Sequence, residues 1–486
     1  MNSLLQTILF PIYLLQLEEY NLKRFRVALQ KSKGRIPDQW RAQLAWTPKM
    51  TLVFLLSFLI HAFASGTIIF VLSSIIPNLG ILSALYFVLL IGLLPLFFIP
   101  LQLVVLLLNP FDSLIKSYII RKAKNKIAQH PKLTIIAVAG SFGKTTMKEL
   151  LAIVLEQKYS VLKTQKNINT PVGISRQILQ ELTSSHDVYI VEMGEYYRGD
   201  IAAICSITKP DIAVVTGINE AHLEKMGDLQ ITSATIFEVV ENAKEDATII
   251  LNADSPLVVQ HHSRYIGKRA KQFYSSRKNS LSRIEPKNIL FKNNGEGVSF
   301  DLYENGKALG AFHTTLLGEY IIGDSIGALH IGKQRGLSVT DVQKGLERLK
   351  PIPHRLQTIL NKSNNVLVID DSYNGNPDGV GEAIKVLSRF TNRRKIYCTP
   401  GLVETGHENE KIHYTIGKQL STVADIVILI RNSATPFIEK GLLKNSFSQQ
   451  NIIWFETAQE AHNNLGTILK PNDVILFQND WPDNYF

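Results

Sequence analysis

From Lys132 onward the chain alternates short apolar runs with helically periodic stretches, and this alternation restricts the fold more than any other feature. TIIAVAG (134–140), DVYIVEMG (187–194), DIAVVTGI (211–218) and ATIILNAD (247–254) each read as a strand that ends in small or polar residues. TTMKELLAIVLEQ and SATIFEVVENAK lie between them with helical spacing. The pattern predicts a mainly parallel sheet wrapped by helices, with ligands gathered at the carboxyl ends of its strands. A second series begins near His354 with VLVIDDSYN, KIYCTPGLVE, DIVILI, NIIWF and DVILF. SVTDVQKGLERLKPIPHR between the two reads as a helix stopped by Pro351 and Pro353. Residues 290–315 read as an antiparallel excursion turning at ENGKALG.

If the strand ends hold the chemistry, the residues after each strand are the candidates. After the first comes GSFGKTT. Glycines let backbone N–H groups turn inward, and a helix N-terminus adds positive potential, so the stretch reads as a phosphate loop. Gly140, Ser141, Gly143 and Thr146 would cradle phosphate, Lys144 would sit between β- and γ-phosphates, and Thr145 would hold Mg²⁺. The strict spacing wants a glycine where this chain has Val138. Glu192, ending the second strand, is either a Mg²⁺ ligand or a cap. His222 in GINEAHLEKMG is either a metal or phosphate ligand or structural, and Asn252 and Asp254 in ILNADSP either bind or close a turn. VIDDSYNGNPDGV offers Asp371, Tyr373, Asn374 and Asn376, donors and acceptors suited to a ribose and base. Arg355 stands where two domains should meet and could reach a phosphate.

The first third is of another kind. Met50–Phe111 contains no Asp, Glu, Lys or Arg over 62 residues. Roughly 20 residues cross a bilayer core, so the stretch predicts two transmembrane helices, about 50–76 and 81–108, with Pro95 and Pro100 kinking the second. Residues 3–17 add an interfacial or third segment holding Pro11, and residues 20–46 suit a helix lying on an anionic leaflet. The net charge of +10 is carried by the flanks, residues 18–49 and 112–132, each at +5. Basic flanks predict both sides cytoplasmic, hence a multi-pass protein of the inner (cytoplasmic) membrane with a lipid bilayer as partner and its catalytic part in the cytoplasm. The body after residue 132 is neutral overall, which argues against nucleic acid as a partner. Spans without ionisable residues offer no ion path, which argues against a transporter. Cys205 and Cys398 lack metal-type spacing and read as buried thiols.

Taken in order, GSFGKTT, KNINTPVG, VEMG, EAHLEKMG, LNAD, HRLQ, DDSYNGNP and TPGLVETG resemble the Mur ligases over about residues 130–480, most nearly the branch that adds D-alanyl-D-alanine. With the N-terminal transmembrane helices read from the uncharged run (1–115), the resemblance implies an α/β chain with a central P-loop parallel-sheet ATPase domain (116–350) and a C-terminal Rossmann-like ligase domain (351–486). It implies an ATP- and Mg²⁺-dependent amide ligase of cell-wall precursor synthesis, which the uncharged run would anchor in the membrane. A substrate carboxylate would take the γ-phosphoryl group, and an amine such as D-Ala-D-Ala would displace phosphate from the acyl phosphate. By motif, Lys144, Glu192, His222 and Arg355 are catalytic, and Thr145, Glu192 and His222 serve the metal. Asn252, Asp254, Asp371, Tyr373 and Asn374 serve the nucleotide. Asn167, Asn169, Thr170 and Asn376 lie toward the substrate.

Three departures stand out. Ile236 occupies the position of a carbamylated lysine, and Tyr320, Ile321 and Asp324 replace a His-Asn-x-x-Asn stretch near the adenine. The UDP-sugar domain is replaced by the apolar region, which favours a lipid-linked wall precursor over a nucleotide-linked one. The alternatives are a poly-γ-glutamate-synthase-like ligase and a non-catalytic nucleotide-binding scaffold for wall-synthesis enzymes.

Overall fold

The computed structural model describes residues 2–32, 44–76, 78–165, 168–195, 197–220, 226–292, 295–373, 375–403 and 405–478. It divides into two compact units, one up to Tyr118 and one from Ile119 on.

The first unit is helical: α1 (Asn2–Leu17), α2 (Leu22–Ser32), α3 (Pro48–Leu72), α4 (Leu79–Gly92) and the start of α5 (Phe98–Ala128). Its core joins Ile12, Leu15, Phe25, Met50, Val53, Phe97 and Leu101, all buried. Thr47 caps α3 by accepting from the Met50 N–H, with Pro48 opening the helix. The expected second span, 81–108, is not one helix. The chain breaks at Leu93, makes a 3₁₀ turn over Leu94–Leu96 around Pro95, and restarts at Phe98 with Pro100 in the first turn. Proline is tolerated there because the first-turn N–H groups have no helical partner. Among the described residues only two helical stretches, Pro48–Leu72 and Leu94–Ala128, are long and apolar enough to cross a bilayer; α4 and α1 are shorter. The expected multi-pass placement in the inner membrane is therefore corrected. An uncharged run sets the available length of apolar helix, but length and apolarity alone do not separate a membrane span from the buried core helix of a globular unit.

The second unit carries the predicted α/β architecture. Its first sheet holds β1 (Thr134–Ala139), β2 (Val161–Lys163), β3 (Val188–Glu192), β4 (Ile212–Val215), β5 (Thr248–Asn252) and β6 (Ala270–Tyr274) in the order β2-β3-β1-β4-β5-β6. All its pairings are parallel. The crossovers are α6 (Lys144–Leu155), α7 (Pro171–Glu181), α8 (Asp200–Thr208), α9 (Leu229–Glu241) and α10 (Pro256–Tyr265). Every residue of β1, β3 and β4 is buried, the near-continuous apolar reading expected of strands covered on both faces. The chain leaves β1 toward β3 and leaves β4 the other way, so a crevice opens between β1 and β4 at their carboxyl ends.

The antiparallel excursion is β7 (Ile284–Phe291), β8 (Val298–Glu304) and β9 (Lys307–Thr314). Asn305 at φ 50° and Gly306 at φ 83° make its two-residue turn. α11 (Tyr320–Gln334) and α12 (Val339–Arg348) follow; Ser338 and Asp341 form a capping box on α12. The second sheet runs β10-β11-β15-β12-β13-β14, with β10 (Gln357–Asn361), β11 (Val366–Asp371), β12 (Lys395–Thr399), β13 (Ile426–Ile430), β14 (Ile452–Phe455) and β15 (Val474–Gln478). Only β10 is antiparallel. α13 (Pro377–Ser388) follows β11. Tyr320 packs against the cores of both sheets.

Candidate active site

Glycine shapes the loop after β1. Gly140 has φ 148°, and a Cβ there would lie 2.2 Å from Thr216 Oγ1, so only glycine lets the loop pass the end of β4. Gly143, at φ 76°, turns the chain into α6. Ser141 N–H donates to the Gly217 carbonyl at 2.8 Å, and the Thr216 hydroxyl donates to the Phe142 carbonyl. Lys144, Thr145 and Thr146 open α6, whose N-terminal N–H groups face the crevice with the partial positive charge of a helix start.

Two ammonium groups and two carboxylates stand at this end of the sheet. Register pairs Val138 of β1 with Glu192 of β3, and Met193 N–H donates to the Val138 carbonyl at 2.9 Å. This juxtaposition sets Glu192 beside α6, where its Oε2 lies 3.1 Å from Lys148 Nζ. Lys148 is fully buried and Glu192 is 4 % exposed. One turn earlier, Lys144 Nζ lies 2.7 Å from Glu195 Oε1 and also donates to the Gly140 carbonyl. Neither Lys148 nor Glu195 stands out in the sequence. Their partners are brought in by strand pairing, which no local motif encodes.

Of the other predicted residues, Asn167, His222 and Asn374 lie outside the described residues. The Asn169 carbonyl accepts from Gly194 N–H at 3.0 Å, which places it beside the Glu192 strand end. Thr170 caps α7, accepting from Gly173 N–H. Asn252 is engaged in a turn: its amide donates to the Thr216 carbonyl at 2.7 Å and its oxygen accepts from Asp254 N–H at 2.9 Å. The Asp254 carboxylate accepts from the Ser275 and Ser276 hydroxyls and from Ser276 N–H.

The second sheet presents its residues toward the same crevice. Asn376 caps α13, accepting from Gly379 N–H, and its Oδ1 also accepts from the Asn219 amide at 2.8 Å. Asn219 Nδ2 reaches Asp378 Oδ2 at 2.8 Å as well, and Asn219 N–H donates to Ser141 Oγ at 3.3 Å. Asn219, which the sequence reading passed over, thus links the loop after β1 to the start of α13. The Arg355 guanidinium lies 5.0 Å over the Tyr373 ring. Asp371 accepts from Leu356 N–H at 3.1 Å and from the Gln478 amide at 2.8 Å. Burial nevertheless raises its carboxyl to about 6, against the lowering pull of Gln478 and Arg355.

Tyr320, Ile321 and Asp324, the departures noted above, lie in the first turns of α11, Ile321 and Asp324 buried and Tyr320 half-buried. Asp324 is held well above the ordinary carboxylate range, first by burial and then by the charge of Asp254. Its Oδ2 and the Tyr274 hydroxyl have no hydrogen-bond partner among the described residues.

Among the described residues no three His, Cys, Asp or Glu side chains converge as a metal-holding group. The oxygen donors beside the loop, the Thr145 hydroxyl and the Glu192 and Glu195 carboxylates, suit a hard cation such as Mg²⁺ in chemistry.

Comparison with known proteins places this geometry. The family "Mur ligase middle domain" matches residues 138–331, and "Mur ligase, glutamate ligase domain" matches 354–478. UDP-N-acetylmuramoyl-tripeptide--D-alanyl-D-alanine ligase of Escherichia coli (strain K12) is 28% identical over 292 residues, 60% of this chain and 63% of that enzyme. The enzyme of the same name from Bacillus subtilis (strain 168) is 26% identical over 71% of this chain and 72% of its own length. The chain thus spans just under two thirds of the E. coli relative. Among solved structures, MurF ligase from Thermotoga maritima in complex with ADP matches with TM-score 0.66 and 25% identity, over 75% of this chain and 80% of that one. The apolar first unit lies outside both family matches. None of these relatives favours a poly-γ-glutamate synthase, a non-catalytic scaffold or a bilayer partner.

Proposed function

For a chain that belongs to the Mur ligase family, we propose the activity of an ATP-dependent amide ligase of peptidoglycan precursor synthesis, of the type that joins D-alanyl-D-alanine to a muramoyl tripeptide. We read a helical region to about residue 115, an ATP-binding domain over 116–350 and a ligase domain over 351–486. The observation that carries the reading is the convergence of Lys144, Lys148 and Glu192 where β1 ends, opposite α13 of the second domain.

Phosphoryl transfer depends mainly on positioning and charge neutralisation. The loop N–H groups and Lys144 grip the β- and γ-phosphates, while Lys148 holds Glu192 in place. Thr145 and Glu192 would hold Mg²⁺, whose charge offsets the phosphate oxygens; His222 is proposed as a further ligand by motif. The substrate carboxylate, oriented by Asn167, Asn169 and Thr170, attacks the γ-phosphorus as the bond to the β-phosphate oxygen breaks. The amine then attacks the acyl carbon, phosphate departs, and the amine proton is lost to solvent or to a basic group. Asp371, Tyr373, Asn374 and Arg355 serve the nucleotide across the domain junction, with Asn252 and Asp254 shaping the turn beneath it. Asn376 closes that junction through Asn219. An acyl phosphate hydrolyses readily, so this closure also serves to exclude water.

The test incubates the full chain with ATP, Mg²⁺, a UDP-muramoyl tripeptide and D-Ala-D-Ala. The expected result is a product whose mass is the sum of the two substrates less one water, with phosphate released only when both are present. Phosphate release without an acceptor, or no product from any muramoyl peptide, would overturn it.

A further inference from the structure

The Lys144–Glu195 pair has a consequence for how nucleotide enters. Lys144 is the group expected to receive the β- and γ-phosphates, yet its ammonium lies 2.7 Å from a carboxylate whose side chain is only 3 % exposed. Lys144 itself is 14 % exposed. Glu195 stands three residues past the end of β3, and Glu192, the last residue of that strand, is paired with Lys148. Lys148 also faces Glu149 Oε1 at 3.5 Å, whereas Glu195 Oε1 sits on the lysine that faces the loop.

We propose that Glu195 is the resident counter-ion of Lys144 and makes nucleotide binding obligatorily linked to a divalent cation. A triphosphate reaching Lys144 brings negative charge against a buried carboxylate already on that ammonium. One ammonium cannot neutralise both anions where water is largely excluded, and like charges at this range repel strongly. Entry is relieved only when a cation arrives with the phosphates and offsets the carboxylate that Lys144 releases. Without the cation, Glu195 competes with the phosphates for Lys144. With it, Glu195 joins the oxygen-donor set beside Thr145 and Glu192. Glu195 is a positioning residue on this account, and the inference rests on the nucleotide-binding reading above.

Isothermal titration calorimetry of the full chain with the non-hydrolysable β,γ-imido analogue of ATP, in EDTA and in Mg²⁺, tests this. The wild type is expected to gain more than about tenfold in affinity from Mg²⁺, within the usual range of coupling between two ligands. Glu195→Gln keeps the shape and removes the charge. It should bind the analogue more tightly than wild type in EDTA, shrinking the Mg²⁺ gain to about threefold or less. Glu195→Asp keeps the charge and should keep the Mg²⁺ gain, which separates lost charge from lost packing. Thermal melts of both variants report whether they fold. If Glu195→Gln binds equally or more weakly in EDTA, the counter-ion role is overturned while the nucleotide site stands. If the wild type binds the analogue in neither buffer, the ligase reading falls and this inference falls with it.

Discussion

Both parallel sheets gather polar side chains at their carboxyl ends, but with different electrostatics. At the first, two lysines on one face of α6 meet two glutamates from the end of β3, and each charge has an opposite partner within 2.7 or 3.1 Å. At the second, Asp371 is held by an amide and an N–H, with Arg355 nearby, and burial pushes it up to about 6. Paired charges can exchange partners with a phosphate and a cation at little cost. A buried acid raised to about 6 and ringed by hydrogen-bond donors is suited to polar recognition and to domain contact. Under the proposed ligase activity, phosphate chemistry would belong to the β1 end and orientation to the β11 end.

The sharpest way to break that division is to remove one charge from each side. Lys144→Ala should lower substrate-dependent phosphate release by about 10²–10³-fold, as for loss of one transition-state donor. Asp371→Asn should cost far less in the same assay. Equal losses would erase the distinction. Lys148 tests the first end through stability. Lys148→Met leaves Glu192 buried without its ammonium and should destabilise by about 3–5 kcal/mol in urea unfolding. Lys148→Met with Glu192→Leu should recover most of that, because the stranded charge is then gone.

How much of this was legible in the sequence follows the same line. Strand runs and their polar ends were readable because a parallel strand buried on both faces is nearly all apolar, as β1 and β3 are. The Asn305–Gly306 turn was readable for an equally local reason, two residues at positive φ. Edge strand β10, QTILN, was missed because its Ile359 and Leu360 are exposed and carry no core-facing alternation. Glu195, Lys148 and Asn219 were missed because each acquires its meaning from a partner far along the chain. Lys148 on α6 reads as an ordinary surface lysine until β3 pairs with β1 and sets Glu192 against it. The uncharged run misled in the opposite sense: its joint before residue 81 and its kink at Pro95 were legible, but apolarity alone does not tell a bilayer span from a buried helix.

A smaller effect is expected where the two ends are joined. Asn219 donates to Asn376 and Asp378 at 2.8 Å each while its backbone meets Ser141 of the loop. Asn219→Ala removes both side-chain bonds, worth about 1–2 kcal/mol together. If the link serves closure, kcat/KM should fall roughly tenfold while the Kd for the ATP analogue moves by less than about threefold, since the loop itself is intact. A fall in Kd affinity as large as the fall in kcat/KM would instead make Asn219 part of the phosphate site.

The smallest effect is a pH dependence at the second end. Asp371 titrates near 3.8 when unfolded and at about 6 when folded. The folded chain therefore binds the proton more tightly, and this carboxyl favours folding most at pH values below 3.8. That contribution is lost as pH rises from about 4 to about 6, and the cost of holding the buried anion is fully present above 6. Asp371→Asn cannot ionise. Chemical unfolding of the variant should show a shallower loss of stability than wild type between pH 4 and 6, with the two curves converging toward acid. Parallel curves across that window would mean that Asp371 is ionised throughout, and the β11 end would then be as charged as the β1 end.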